Sequence, residues 1–265
     1  MASCFRDDAL QGRVVWITGG GSGIGAGIAS RLAAHGAEVV LTGRKAERLE
    51  AVAEAIRAAG GAARTAPADV RDPASLEAVA ERIGAECGRL DGLVAGAAGN
   101  FLCPAVSLSP NGFGTVIDID LKGTFNTCKA AFPLLSQSGG AVVTISATLQ
   151  YTGTPLQVHA ASAKAGVDAM TRGLAVEWGP AGIRVNGIAP GPIDETPGME
   201  KLAPGEVRDR VVRAIPLQRL GTVTDVADGV LFLLSPAASW VSGAVLVVDG
   251  GQWLATAGLG AALTG

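Results

Sequence analysis

Short apolar runs alternate with stretches of helical periodicity along most of the chain. The first run covers residues 14–17, and a glycine-rich turn and a helical pattern over residues 23–35 follow it. Further strand-like runs cover residues 38–41, 62–66, 92–95, 141–145, 183–188 and 244–248, and further helical patterns cover 46–59, 73–87, 161–178 and 223–234. Continuous apolar strands that alternate with helices are typical of a parallel sheet covered on both faces. The pattern predicts an α/β fold with a doubly wound, Rossmann-like parallel sheet.

A single domain is expected for the whole chain of 265 residues. The alternation runs from about residue 10 to residue 252 without a linker that would divide it. Single α/β domains of this length are common. The glycine-rich residues 253–265 are expected to form a C-terminal tail, so the sequence predicts one domain over residues 1–265.

Composition and charge exclude one class of partner. Hydrophobic residues make up 48% of the chain and charged residues 17%, which is enough apolar surface for one large core. The net charge is −3, and no block of like charge is present. A nucleic-acid-binding protein normally carries a basic stripe. We therefore expect no nucleic-acid partner.

The cysteines and the chain termini bear on metals and location. Four cysteines and two histidines are scattered without the clustering that a zinc site needs. Unpaired thiols are typical of a reducing cytoplasm. No apolar run reaches the length of a membrane span, residues 1–13 lack the apolar region of a signal peptide, and the C-terminus lacks an SKL-type peroxisomal signal. The sequence predicts a cytoplasmic protein with no metal and no membrane contact.

The turn after the first predicted strand has the sequence TGGGSGIG over residues 18–25. Glycines allow backbone amides to approach a pyrophosphate, and the N-terminus of the following helix favours an anion. The alternative is a purely structural turn, but the position between a strand and its helix is the one that dinucleotide binding requires. The candidate cofactor-binding residues of this turn are Thr18, Gly19, Ser22, Gly23, Ile24 and Gly25.

The end of the second strand predicts which dinucleotide binds. A carboxylate there would bind the ribose 2′-hydroxyl of NAD, whereas this chain has Arg44 followed by Lys45. Arg44 can bind a 2′-phosphate through two hydrogen bonds, which favours NADP(H), although a solvated arginine is the alternative. Asp69 and Val70 follow the third strand and are placed to reach the adenine, but Asp69 could equally cap the next helix.

Several motifs together resemble the short-chain dehydrogenase/reductase family. They are TGGGSGIG, the pair Asp69-Val70, AGAAG at 95–99, the segment from 163 that begins AKAGVDAMTRGLAVEWGP, and GAVLVVDGG near the end. The resemblance covers about residues 10 to 252. It implies further cofactor contacts from Ala97, Gly99, Lys164, Pro190, Gly191 and Ile193.

The catalytic positions of that family are largely replaced in this chain. The family usually carries a serine, a tyrosine and lysine in a YxxxK pair, and an upstream asparagine. The lysine matches Lys164, but the other three positions hold Ala160, Ala147 and Asp120. Neither alanine can transfer a proton. The single tyrosine, Tyr151, is not one helical turn before Lys164, so we do not expect it to substitute.

The pattern of replacements is similar to the 2,4-dienoyl-CoA reductase branch of the family, especially its peroxisomal-type members. In that branch the tyrosine is also absent, and an aspartate at the Asp120 position is implicated together with the lysine. The resemblance implies reduction of a 2,4-dienoyl thioester of coenzyme A to a 3-enoyl thioester, with Asn100 donating a hydrogen bond to the thioester oxygen. It also implies a homotetramer, with the helix over 161–178 and the C-terminal region at interfaces.

Several alternatives remain open from the sequence. Asp120 could be structural, and burial and Lys164 would act in opposite directions on its charge. His159 could be catalytic or only cap the helix, and Ser162 could contact substrate or only pack. Residues 194–213 resemble a mobile lid, in which basic residues could bind the phosphates of coenzyme A or form a solvated helix face. These basic residues are Lys201, Arg208, Arg210 and Arg213.

Two other functions compete with the reduction of a dienoyl thioester. One is oxidoreduction of a different carbonyl or alcohol substrate through Asp120 or His159. The other is a non-catalytic NADP(H)-binding sensor or scaffold, which the loss of serine and tyrosine allows. The retained Lys164 and the PGPI segment at 190–193 favour an enzyme.

Overall fold

The computed structural model describes residues 4–196, 199 and 205–255. Seven strands form one sheet in which every pair is parallel. The strands are β1 (Val14–Thr18), β2 (Glu38–Thr42), β3 (Ala62–Thr65), β4 (Gly92–Ala95), β5 (Ala141–Ile145), β6 (Arg184–Pro190) and β7 (Val245–Val248). Their order across the sheet is β3-β2-β1-β4-β5-β6-β7. The doubly wound α/β fold predicted from the sequence is confirmed.

Helices connect these strands and cover both faces of the sheet. They are α1 (Gly23–Ala34), α2 (Ala46–Ala58), α3 (Pro73–Cys87), α4 (Pro110–Ile117), α5 (Gly123–Ser138), α6 (Leu149–Thr152), α7 (Val158–Trp178), α8 (Glu206–Ala214), α9 (Val223–Leu234) and α10 (Gln252–Ala255). A π-helical turn over Asp118–Lys122 joins α4 to α5. None of the helices in the described ranges has the length and apolar character needed to cross a bilayer.

The chain reverses its direction of travel across the sheet at β1. From β1 it proceeds to β2 and β3 on one side, and then returns to place β4 on the other side. The register sets Val15 opposite both Val39 of β2 and Gly92 of β4. In open parallel sheets, ligands bind at such a reversal, beyond the carboxyl ends of the strands.

The core consists of two apolar layers, one on each face of the sheet. One layer packs α1 and α9 against the sheet, and Ile28 and Val230 are fully buried in it. The other packs α3, α5 and α7 against the opposite face, where Trp16 is also fully buried. The indole of Trp16 donates a hydrogen bond to the hydroxyl of Thr42 at 2.8 Å. Buried polar groups are thereby paired within the sheet.

The observed elements differ from the predicted ones in several places. Helices α4 and α5 were not predicted, and α7 begins at Val158 rather than at residue 161. Residues 253–255, predicted as part of the tail, are helical in α10, where the ring of Trp253 lies 5.4 Å from that of Tyr151. The rest of the predicted tail, residues 256–265, lies outside the described residues.

Candidate active site and cofactor cleft

The turn between β1 and α1 packs more closely than any side chain would allow. A Cβ on Gly25 would lie 2.3 Å from the carbonyl oxygen of Gly19. A Cβ on Gly19, whose φ is +75°, would lie 2.7 Å from the carbonyl oxygen of Gly96. Helix α1 therefore starts directly against the ends of β1 and β4, where a cofactor pyrophosphate would meet backbone N–H groups.

The N-terminus of α1 is free to bind an anion. Ser22 is the N-cap, and its exposed side chain makes no capping hydrogen bond. The first turn, which includes Gly23, Ile24 and Gly25, contains no acidic residue. The helix dipole and these backbone amides favour negative charge at this point. Thr18 has a different part: it is buried, and its hydroxyl accepts the N–H groups of Gly96 and Ala97 at 3.2 and 3.4 Å.

A cavity of about 180 Å³ extends from this turn across the ends of β2 and β3. It is lined by predicted cofactor residues from four separate segments, among them Gly19, Ser22, Arg44, Asp69, Val70 and Ala97. Arg44 is exposed at its edge. The glycine-rich turn over residues 18–25, called the glycine cradle below, and this cavity fit the pyrophosphate and adenosine portions of a dinucleotide.

The carboxylate of Asp69 is directed to a partner that the sequence reading missed. Arg71 donates to it at 2.5 Å through Nη2 and at 3.0 Å through Nε. The hydrogen bond from Arg71 is the main reason that the pKa of Asp69 lies below its usual value. The N-cap of α3 is Asp72, whose side chain accepts from the N–H of Ala74. Asp69 is therefore not the helix cap considered from the sequence.

The segment after β6 is rigidly held by its backbone. The carbonyl of Pro190 accepts the N–H of Thr148 at 3.1 Å, and the N–H of Gly191 donates to the carbonyl of Val248 at 3.0 Å. Ile193 is buried and bridges to Gly221. This backbone is held on both sides, as a segment that orients a nicotinamide carboxamide would need to be.

Asp120 lies in the π-helical turn between α4 and α5. Its side chain is almost completely buried. Oδ1 accepts the backbone N–H of Gly99 at 2.7 Å, and Oδ2 lies 3.1 Å from Nζ of Lys164. Single π-helical turns are rare and frequently occur at functional sites. Both donors have no lone pair to offer in return, so these contacts suit a carboxylate.

Lys164 reaches the same point from α7. Its side chain is 8% exposed, and Nζ donates to the carbonyl of Ile145 at 2.9 Å in addition to its contact with Asp120. The ammonium has three N–H donors, so one remains for a ligand. The structure thus brings together Asp120 and Lys164, two of the three residues predicted to be catalytic.

At the positions where the family carries its tyrosine and serine, this chain has two alanines that lie partly or fully buried. Ala160 is buried in a small cluster with Val116 and Ala163, and Ala147 is partly buried. The hydroxyl of Tyr151 donates to Oδ2 of Asp168 at 2.7 Å. Burial, followed by this contact with Asp168, raises the pKa of Tyr151. Tyr151 is therefore bound to a different carboxylate from the one that Lys164 contacts.

Asn100 makes an amide pair with Gln157, a residue that the sequence reading missed. Nδ2 of Asn100 donates to Oε1 of Gln157 at 2.5 Å, while Oδ1 accepts the N–H of Phe101 at 2.8 Å. Asn100 itself is exposed, whereas Gln157 is buried at the start of α7. The only available signal was a polar residue next to an apolar one in LQVHAASAK, which is too common to single out a site.

His159 is fully buried. Its ring lies 4.4 Å from that of Phe101, centroid to centroid, with an interplanar angle of 31°. Neither ring nitrogen has a hydrogen-bond partner among the described residues. These contacts favour a packing role for His159. Ser162 is exposed, and its hydroxyl bonds back to the carbonyl of Val158 within α7.

We expect His159→Leu to retain full activity and to be at least as stable as the wild type. Leucine replaces an imidazole whose nitrogens have no hydrogen-bond partner among the described residues and keeps the apolar contact with Phe101, so the free energy of unfolding should not fall below that of the wild type. Steady-state kinetics and thermal unfolding measure both effects. His35→Leu is the matched control: Nδ1 of His35 bonds to the carbonyl of Arg6 at 2.8 Å, so this variant should lose about 1 kcal/mol. A large loss of kcat in His159→Leu would contradict the packing role.

The structure describes three of the four basic residues considered for binding the phosphates of coenzyme A. Lys201 lies outside the described residues. Arg208 forms an ion pair with Asp194, with Nη1 2.6 Å from Oδ1. Arg210 and Arg213 are exposed on α8, a helix whose residues are all at least partly exposed.

Comparison with known proteins identifies the family to which the chain belongs. Residues 19–252 match the family model described as "Enoyl-(Acyl carrier protein) reductase". The chain belongs to the short-chain dehydrogenase/reductase family, as predicted, and is an oxidoreductase. Membership implies a nicotinamide cofactor, which agrees with the glycine cradle at β1.

The names of individual relatives indicate a narrower activity than the family model does. The chain is 50% identical over 254 residues to a peroxisomal 2,4-dienoyl-CoA reductase of Pongo abelii, described as (3E)-enoyl-CoA-producing, covering 94% of this chain and 87% of the relative. It is 47% identical over 264 residues to the Arabidopsis thaliana protein of the same name, covering 96% and 89%. Among solved structures, a short chain dehydrogenase from Bacillus anthracis is 42% identical with a TM-score of 0.84, covering 92% of this chain and 98% of that one.

Proposed function

We propose that this protein is an NADPH-dependent reductase that converts a 2,4-dienoyl-CoA to a 3-enoyl-CoA. The observation that carries the proposal is the buried Asp120–Lys164 pair, in a chain whose tyrosine and serine positions hold Ala160 and Ala147. A carbonyl reductase of this family needs the tyrosine to protonate the new alcohol. Reduction of a dienoyl thioester does not, because the proton goes to carbon. The names of the most similar relatives support the same reaction.

In the proposed reaction, negative charge develops on the thioester oxygen, and the proton is added at carbon. A bound nicotinamide would supply the hydride, which adds to the distal carbon of the diene and leaves negative charge on the thioester oxygen. Asn100 has one amide N–H that is not used by Gln157, and this donor would stabilise that oxygen. One hydride and one proton are added in total.

Asp120 and Lys164 act on the proton. The carboxylate of Asp120 would hold and orient a water beside the α-carbon, and the nearby ammonium of Lys164 would supply positive charge. Lys164 has one further N–H for the nicotinamide ribose, because Asp120 and the carbonyl of Ile145 use the other two. The buried pair is stabilised by the N–H of Gly99, which fixes Asp120 from its other oxygen.

The proposal is tested by oxidation of NADPH with 2,4-hexadienoyl-CoA and, in parallel, with simple ketones. Turnover of the dienoyl thioester with formation of a 3-enoyl product supports it. Turnover of ketones alone would point to a different oxidoreductase, and binding of NADPH with no turnover of either would point to a sensor or scaffold. A change of carrier from coenzyme A to a simpler thiol shows whether the nucleotide part of the substrate contributes to KM.

The choice of NADP(H) over NAD(H) rests on Arg44. Charge-assisted hydrogen bonds contribute about 1.5–3 kcal/mol each, so Arg44→Ala should raise KM for NADPH by roughly 10- to 100-fold and leave KM for NADH nearly unchanged. Arg57→Ala is the control, because Arg57 lies on α2 and pairs with Glu50. Equal increases of KM for both cofactors would contradict a 2′-phosphate contact.

Assembly and location complete the proposal. A homotetramer is supported by exposed apolar side chains on two long helices, Phe125 on α5 and Val176 on α7, and by a cavity of about 630 Å³ between α5 and Met170 of α7. Light scattering tests the homotetramer by measuring the molar mass in solution.

We propose that the protein is located in the cytoplasm, because all four cysteines are free. A tagged chain found in a peroxisome, the compartment in its relatives' names, would contradict this. We also propose that the whole chain is one domain, which limited proteolysis tests.

A further inference from the structure

The segment after β4 is tied to the start of α7 in three places. Nδ2 of Asn100 donates to Oε1 of Gln157 at 2.5 Å. The N–H of Cys103 donates to the carbonyl of Leu156 at 2.9 Å, and the ring of Phe101 contacts that of His159 in a tilted arrangement. The two segments are more than fifty residues apart in the chain, so these contacts form only in the folded protein. They place Asn100 relative to the helix that carries Lys164.

Leu156 has a backbone conformation that is costly for its residue type. Its φ is +66°, a region that favours glycine, and such residues cost about 1–3 kcal/mol and cluster at functional sites. Leu156 is also 44% exposed, so packing of its side chain does not account for the conformation. With this backbone, the carbonyl of Leu156 accepts from Cys103, and the next side chain, Gln157, reaches Asn100.

The two hydrogen bonds of Asn100 fix the orientation of its amide. Oδ1 is occupied by the N–H of Phe101, and one N–H of the amide is occupied by Gln157. The second N–H is the only donor left, and its direction is set by the other two contacts. Asn100 is exposed, so without Gln157 its side chain could rotate into water. Gln157 is 9% exposed and is the N-cap residue of a 21-residue helix, which makes it a rigid partner.

We infer that Gln157 is a positioning residue, which orients Asn100 so that its free N–H points at the thioester oxygen when charge develops there. The inference rests on the proposed function, because it takes Asn100 as the donor to the thioester oxygen. Gln157 itself makes no contact with the substrate in this account. Its physical basis is preorganisation: a donor contributes most when no reorientation is needed during the reaction. Gln157 is absent from the family's usual set of catalytic positions described above.

The test is a double-mutant cycle between Gln157→Met and Asn100→Ala, measured as kcat with a 2,4-dienoyl-CoA. Methionine keeps the length of the side chain but is a weak acceptor. Gln157→Met should lower kcat by about tenfold with little change in KM, because a misplaced donor affects the transition state more than substrate binding. Asn100→Ala should lower kcat by about 10²-fold or more. In the Asn100→Ala background, Gln157→Met should have no further effect.

Controls separate positioning from folding. Gln137→Met makes the same chemical change at an exposed residue on α5 whose side chain donates to the carbonyl of Pro133, and it should leave kcat unchanged. Thermal unfolding of each variant is followed by circular dichroism. Should Gln157→Met be unstable, Gln157→Ala removes the same acceptor without a longer apolar chain and enters the same cycle.

The outcomes distinguish the inference from the function on which it rests. Losses of kcat that add independently across the cycle, in a wild type that reduces the dienoyl thioester, would overturn the positioning role alone. A wild type without dienoyl-CoA reduction would overturn the proposed function and the inference with it. Loss of the Gln157 effect in the absence of Asn100 supports both.

Discussion

Asp120→Asn is expected to lower kcat for the dienoyl thioester by about 10²–10³-fold, the effect of removing one preorganised charged or polar group from an active site. The substitution keeps the size of the side chain and an oxygen for the N–H of Gly99. It removes the negative charge and turns an amide N–H₂ toward the ammonium of Lys164, which now lies 3.1 Å from Oδ2. Two donors then face each other in a buried site. Steady-state kinetics at saturating NADPH measure the loss.

This prediction reverses the usual expectation for the family, because asparagine is the residue that the family commonly carries at this position. The change is expected to be harmful here because the family's tyrosine position holds Ala160, so the asparagine has no catalytic tyrosine to act with. Asp118→Asn is the matched control: Asp118 lies in the same π-helical turn but pairs with Lys122 at the surface at 2.7 Å, and it should retain wild-type kcat. Wild-type kcat in Asp120→Asn would remove the carboxylate from the mechanism.

Much of the fold follows from the sequence pattern because buried parallel strands are continuously apolar. The predicted boundaries of β4, β5, α3 and α9 coincide with the observed ones. Helix α7 was predicted to start three residues late because Gln157, its N-cap, makes no side-chain capping bond and is not a typical capping residue. Helix α4 carried a readable signal that was overlooked, the N-cap Ser109 followed by Pro110.

The candidate site was predictable only where a residue type is itself informative. Lys164 and Asp120 stand out in sequence by matching or replacing motif residues, and the structure places them in contact. The π-helical turn that carries Asp120 was not predicted, and no side-chain capping hydrogen bond marks its start. Two pairings, Arg71 with Asp69 and Gln157 with Asn100, depend on side-chain directions that spacing does not determine.

Lys164→Met is expected to abolish detectable turnover and to destabilise the protein. Methionine fills most of the volume of the lysine stem but leaves Asp120 as a buried carboxylate with a single donor, the N–H of Gly99. The carbonyl of Ile145 also loses its lysine donor. Removing one partner of a buried ion pair costs about 3–5 kcal/mol of unfolding free energy. Chemical denaturation at neutral pH measures this loss, and NADPH oxidation measures the activity.

Two further variants decide whether the loss of stability comes from the stranded charge. Lys122→Met breaks the exposed pair with Asp118 and should cost at most about 0.5 kcal/mol. The double variant Asp120→Asn/Lys164→Met removes both charges and should recover part of the unfolding free energy while remaining inactive. Turnover by the double variant that is still lower than that of Asp120→Asn alone is the result that assigns Lys164 a part in catalysis beyond neutralising Asp120. Equal stability of Lys164→Met and Lys122→Met would instead show that the Asp120 carboxylate finds another partner, and the pair would not be the structural unit described above.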